Sequence, residues 1–132
     1  MNETSKEEVE KTPSWQKSEN GVKRIFQALG YSVAGFKAAY KKEAAFRQLL
    51  ILCLVLLPFA IFLHVTRVER VLLLGVLLLS LLVEMFNSAI EATVDRISLE
   101  NHPLSKQAKD MASAAQFLSL ALIAVVWGLI LL

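Results

Sequence analysis

VLLLGVLLLSLLVEMFNSAIEATVDR, residues 71–96, decides how this chain is read. Val71 to Val83 carries no charge, and the run then acquires Glu84, Asn87, Ser88, Glu91 and Asp95. A membrane-spanning helix needs about 20 mostly apolar residues. This run reaches that length only by continuing through Glu84 to about Ile90, so the acids belong inside or near the membrane. Glu84, Asn87, Ser88, Glu91 and Asp95 recur at helical spacing and share one stripe. Glu84 and Glu91 lie about 10 Å apart along the axis by helix rise, so they need not be a mutually bonded pair.

The rest of the chain agrees with a membrane setting. Of its 132 residues, 55% are hydrophobic, above the roughly 45–50% usual in soluble domains. A second apolar block runs from Leu49 to Leu63, extended by Ala44–Phe46, and a third from Met111 to Leu132. These observations predict an all-α integral membrane protein with spans at about 44–63, 69–97 and 106–131. Pro58 removes a backbone donor within the first span and allows a mild kink there. The segment ENHPLS, residues 100–105, breaks the chain after the second helix, because Pro103 cannot continue a helix, and Ser105 is a reasonable N-cap for the third. His64, Arg67, Glu69 and Arg70 form a short polar turn that reads as solvated.

Residues 1–20 are polar, mixed in charge and without an apolar core, so they read as a disordered tail and not as a secretory signal. Residues 21–42 read as an amphipathic helix. Val22, Ile25, Phe26, Leu29, Val33, Phe36 and Tyr40 make one face, and Lys23, Arg24, Lys37, Lys41 and Lys42 lie on the polar side. Such a basic helix ahead of a span lies in the membrane interface, and Gly30 and Gly35 allow it to bend. Most Lys and Arg residues precede the first span, and Arg96, Lys106 and Lys109 lie between the second and third. The positive-inside rule places the N-terminus in the cytoplasm and the C-terminus on the outer side.

Carboxylates are costly in a membrane; Asp at a helix centre costs about 2.5–3.5 kcal/mol on insertion scales. A purely structural helix gains nothing from a row of them, although exposure at the cytoplasmic rim suits Asp95 and Arg96. Glu43 and Arg47, one turn apart where the surface helix meets the first span, are candidates for a site or for an ordinary i,i+4 ion pair. Lys109, Ser113 and Gln116 share a face at the start of the third span, beside Asp110. Ala112, Ala115 and Ser119 form a small-residue strip suited to close helix packing.

Cys53 stands alone, so no intrachain disulfide forms, and its plain reading is packing or lipid contact. There is no zinc-type Cys/His cluster, Walker A pattern or GxGxxG, and Ser88 has no His to activate it. No nucleic-acid partner is expected. Acids with Lys and Arg at an interface suit a hard divalent ion and phosphates, because Mg²⁺ takes one or two carboxylates plus substrate phosphates. They equally suit a cation or proton pathway. Phosphoryl transfer and ion conduction therefore both stand on the residues alone.

EMFNSAIEATVDR (84–96), ENHPLSKQAKDMASAA (100–115) and RIFQALGYSVAGFKAAYKKEAAFRQ (24–48) together resemble the bacterial diacylglycerol kinase family, over about residues 21–132. The resemblance implies a homotrimer of small three-span kinases in the bacterial inner membrane. It implies phosphorylation of diacylglycerol by ATP with Mg²⁺. It makes Glu84 the general base and Glu43 and Glu91 metal ligands. Arg24, Tyr31, Glu43, Glu91, Glu100, Asn101, His102, Lys109 and Asp110 fall on nucleotide-contacting positions. Arg24, Ala45, Phe46, Arg47, Gln48, Leu49, Glu84 and Ser113 fall on the lipid side, with Asn87 in support. An acidic residue often follows the AAFRQ run in diacylglycerol-type members; Leu49 stands there in this chain. A related branch phosphorylates undecaprenol, but EAAFRQ and KDMASAA favour the diacylglycerol branch.

Overall fold

The structure is a computed structural model and describes residues 21–132; the expected N-terminal tail lies outside the described residues. Four helices follow one another: α1 Gly21–Lys42, α2 Ala44–Phe62, α3 Arg67–Ile97 and α4 Pro103–Leu131. There is no strand among the described residues. The described residues divide into two units, one ending at Phe36 and the other Lys37–Leu132.

Within the described part of the first unit the backbone is helical at both Gly30 and Gly35. Val22, Ile25, Phe26, Leu29, Val33 and Phe36 are all exposed.

In the second unit, α2, α3 and α4 are each long and apolar enough to cross a membrane. α3 packs against both α2 and α4, most extensively against α4. Short connections make successive helices antiparallel neighbours, so the start of α2, the end of α3 and the start of α4 share one end of the bundle. The core is Leu49, Cys53 and Ala60 of α2, Leu73, Val76 and Leu77 of α3, and Ile123 and Trp127 of α4. Polar groups within it are satisfied locally. Ser80 Oγ donates to the Leu77 carbonyl at 2.7 Å, and Trp127 Nε1 donates across to the Leu73 carbonyl at 3.3 Å. Lipid offers no hydrogen bonds, so such groups must find partners in the protein. Less than a third of each span's most apolar window is buried within the chain. Leu54, Val55, Phe59, Leu78, Leu82, Phe117, Leu118 and Val125 are exposed. Soluble proteins rarely show so much contiguous apolar surface.

Three local expectations are corrected by the helix ends. α4 begins three residues earlier than an N-cap at Ser105 would place it: Pro103 takes the first turn, where its missing N–H is no loss. His102 is the cap, its Nδ1 accepting from Leu104 N at 3.1 Å. The polar turn after α2 is used rather than simply solvated. Thr66 and Glu69 close a reciprocal capping box on α3, and Arg70 donates to the carbonyls of Ile61 and Leu63 at the end of α2. The helix-end carbonyls of α2 lack intrahelical donors, which is why a guanidinium is drawn there. Arg47 likewise donates to the last carbonyls of α1, Tyr40 at 2.6 Å and Lys41 at 3.2 Å, instead of pairing with Glu43. Its five forked donors reach two backbone acceptors at once, which a surface pair with Glu43 would not repay.

Candidate active site

Glu43 is the residue at which the chain leaves α1 and enters α2. Its backbone is extended (φ −110°, ψ 108°), and its side chain caps nothing. Across from it stands α3, where Glu84 is only 2% exposed. The Asn87 side chain hydrogen-bonds Glu84 one turn further along the helix, and the carboxylates of Glu43 and Glu91 lie within electrostatic reach of it. The stripe read from helical spacing therefore faces inward at Glu84. Glu43, distant in sequence, joins it through the fold.

Two oxygens in this neighbourhood, Asn87 Oδ1 and Ser88 Oγ, are buried without a hydrogen-bond partner. Asn87 thus spends its amide N–H on Glu84 and leaves its carbonyl free. Buried polar atoms are nearly always paired, so an unpaired acceptor beside gathered carboxylates is the electrostatic setting a cation completes. Among the described residues no three His, Cys, Asp or Glu side chains close into a metal cage by themselves. Two carboxylates with the remaining positions left to phosphate and water is the arrangement Mg²⁺ commonly takes. The donor set of Glu43 and Glu91 fits that pattern.

Beyond Glu91 the turn between α3 and α4 forms an open cleft of about 800 Å³. Glu100, Asn101, His102, Lys109 and Asp110 all line it, together with Asp95, Ser98, Ser105 and Lys106. Five of the nine expected nucleotide-contacting residues therefore meet at one place. Lys109 Nζ lies 2.6 Å from Asp95 Oδ1, and Lys106 Nζ lies 2.5 Å from Asp110 Oδ2. Both ammonium groups are fixed by carboxylates on the walls of the cleft. Arg24 and Tyr31 belong to the other unit and are exposed on α1.

The expected lipid-side residues divide by burial. Phe46 and Leu49 are buried, 3% and 5% exposed, and Leu49 belongs to the core. Ala45, Gln48 and Ser113 are exposed, and Arg47 is committed to the end of α1. Gln116 is half-buried and accepts from Ser119 Oγ at 2.9 Å. Sequence reasoning left Asp95 at the rim, named Ser105 only as a helix cap and Lys106 only for orientation, and did not single out Ser98. Asp95 and Lys109 are separated by 14 residues, and only the α3–α4 hairpin brings them together. The charge pattern carried a signal for Asp95, but none for its partner.

Comparison with known proteins gives one consistent result. The prokaryotic diacylglycerol kinase family matches residues 30–131. A diacylglycerol kinase of Pseudomonas aeruginosa is 61% identical over 121 residues, covering 92% of this chain and 98% of the relative. One from Escherichia coli K12 is 45% identical over 84% of this chain and 91% of its own length. One from Haemophilus influenzae is 41% identical, covering 84% of this chain and 94% of the relative.

Proposed function

The chain belongs to the prokaryotic diacylglycerol kinase family, and from that premise we propose that it transfers the γ-phosphoryl group of ATP to the hydroxyl of diacylglycerol. The products are phosphatidic acid and ADP. The protein is a multi-pass membrane protein and its reaction is a metal-dependent use of ATP. The observation that carries the assignment of residues is the buried Glu84, with Asn87 bonded to it and Glu43 and Glu91 in electrostatic reach.

In this reading Glu84 is the general base. It accepts the proton of the lipid hydroxyl as the new O–P bond forms and the bond from the γ-phosphorus to the bridging oxygen of ADP breaks. A base of this kind needs to lie within hydrogen-bond reach of one proton. Asn87 holds the Glu84 carboxylate in orientation through its amide. Glu43 and Glu91 would hold Mg²⁺, which when bound neutralises charge on the phosphates. Lys109, on α4 in the cleft, adds a positive charge, and electrostatic stabilisation of this kind is usually the largest single catalytic contribution.

The cleft at the α3–α4 turn takes the nucleotide, with Glu100, Asn101, His102 and Asp110 offering donors and acceptors to it. Arg24 and Tyr31 are nucleotide-contacting positions by the family resemblance alone. The lipid approaches along the exposed Ala45, Gln48 and Ser113, while Phe46 and Leu49 support that surface from behind. Leu49 removes a polar contact to the headgroup and not the catalytic set. Residues 21–132 form the kinase domain. The family resemblance supports a homotrimer, and the exposed apolar surface of the spans leaves room for partner chains and lipid. The distribution of Lys and Arg supports an inner-membrane protein with its N-terminus in the cytoplasm and its C-terminus in the periplasm.

The test is lipid phosphorylation by the purified protein in mixed micelles with labelled Mg-ATP. Phosphatidic acid formed much faster than undecaprenyl phosphate, and lost on chelation of the metal, is the expected result. A preference for undecaprenol would keep the chemistry and change the substrate. No labelled lipid from either substrate, with ion flux across vesicles that needs no nucleotide, would overturn the reading.

A further inference from the structure

Asp95 has no part in the reaction proposed above, yet among the described residues it makes the one ion pair that joins α3 to α4. Its Oδ1 accepts from Lys109 Nζ at 2.6 Å. Both residues line the cleft assigned to the nucleotide. Glu91, one turn back on α3, also acts electrostatically on Lys109. The ammonium group is thus held by one carboxylate and drawn by a second, at the boundary between the Glu43–Glu84–Glu91 cluster and the cleft.

A stabilising role explains this pair poorly. The side chains are 38% and 49% exposed, and ion pairs that solvent reaches contribute little to stability. Orientation explains it better. A lysine side chain has four rotatable carbons and a point charge, so unaided it samples many positions. An ammonium has three donors. With one spent on Asp95, two remain, in directions set by that bond. The salt bridge therefore converts a mobile charge into an aimed one, and the aim is along the wall of the cleft.

We propose that Asp95 is a positioning residue for the kinase reaction: it holds the Lys109 ammonium in the cleft so that its free donors meet the phosphates of ATP. The inference rests on the reading of the cleft as the nucleotide site. It makes Asp95 act only through Lys109, and that gives it a distinctive signature.

Steady-state phosphorylation of diacylglycerol would be measured against Mg-ATP concentration for the wild-type protein, D95A, D95N, K109M and the double variant D95A/K109M, with melting in detergent followed for each. D95A should lower kcat/KM for ATP by about tenfold to a hundredfold, the scale on which a misplaced catalytic group costs rate. Its KM for diacylglycerol should stay unchanged. D95N keeps an acceptor oxygen and should recover part of the loss. In the K109M background D95A should have no further effect, since the residue through which it acts is gone. The swapped variant D95K/K109D restores an ion pair between the helices but puts the ammonium on the wrong one; it should melt like the wild type and stay impaired. An active wild-type enzyme with D95A unimpaired, or with the two single losses multiplying in the double variant, would overturn the positioning role while leaving the kinase reading intact. A swapped variant with full activity would do the same, showing a purely structural pair. A wild-type protein that phosphorylates no lipid overturns the kinase reading and this inference with it. Should D95A fail to melt cooperatively, the isosteric D95N decides: normal kinetics in both the wild-type and K109M backgrounds tells against the proposal, and a raised KM for ATP confined to the wild-type background supports it.

Discussion

Glu84 is where the cost of burial and the need for chemistry meet. A carboxylate 2% exposed on an otherwise apolar helix is retained against a penalty that a leucine would not incur. Its one direct side-chain partner is the Asn87 amide, which orients it without neutralising it. Replacement by glutamine keeps the shape and keeps an oxygen for Asn87 to donate to, but removes the proton acceptor. Glu84→Gln is therefore expected to lower kcat by about 10²–10⁴-fold, the usual contribution of a general base. KM for ATP should change little, because Glu84 does not line the cleft proposed for the nucleotide. Full kcat in the glutamine variant would remove Glu84 from the role of base. Ser88, one turn from Glu84, keeps its hydroxyl unpaired although a helical serine can usually bond the carbonyl four residues back. That places a second polar atom at the same depth, where substrate or solvent must complete it.

The helices are held in place largely by what happens at their ends. α3 opens on the Thr66–Glu69 capping box, which satisfies two backbone donors reciprocally. α2 closes on Arg70, and α1 closes on Arg47. These contacts set where each span begins and how the turns between them run. Thr66→Ala removes the side-chain half of the box and is expected to cost about 1 kcal/mol, seen as a lower melting temperature in detergent. The box sits at the end of α3 opposite the acids, so kcat at a temperature where the protein is folded should be unchanged. A variant that melts normally would mean that lipid contact, not the cap, fixes the start of α3. At the other end, Pro103 and His102 start α4 close behind the end of α3. The short turn keeps Asp95 and Lys109 facing each other.

At the scale of the molecule, polar chemistry is gathered at one end of three apolar helices. The opposite end holds the α2–α3 turn and the C-terminus of α4. A lipid kinase of this build needs no lid over a deep pocket, since one substrate diffuses in along the bilayer and the other from water. The two must meet at the interface, which is the depth of Glu84 and the cleft. Orientation can be tested on a Cys53→Ala background, because Cys53 is the lone cysteine. In right-side-out spheroplasts, Gln107→Cys on α4 should resist a membrane-impermeant maleimide until the membrane is opened. His64→Cys, at the α2–α3 turn, should react at once. The reverse pattern would invert the topology and put the site out of reach of cytoplasmic ATP.

What the sequence determined by itself is whatever repeats along a single helix or follows from composition. Three apolar runs long enough to span were visible without any contact between them. So was the stripe of Glu84, Asn87, Ser88, Glu91 and Asp95, because 3.6-residue periodicity is a local property of one helix. The length of the motif from Glu84 to Glu91 carried the family. Partner choice was decided by the tertiary structure. Arg47 had Glu43 within one turn and took the carbonyls of Tyr40 and Lys41 instead. Phe46 and Leu49 fell within the expected lipid surface, yet the packing of α2 on its neighbours buried them. Asp95 read as a rim charge until the α3–α4 hairpin set it against Lys109. Each of these depends on how two helices are rotated and registered against each other, a choice made by side-chain packing across the interface and invisible to any period read along one chain segment.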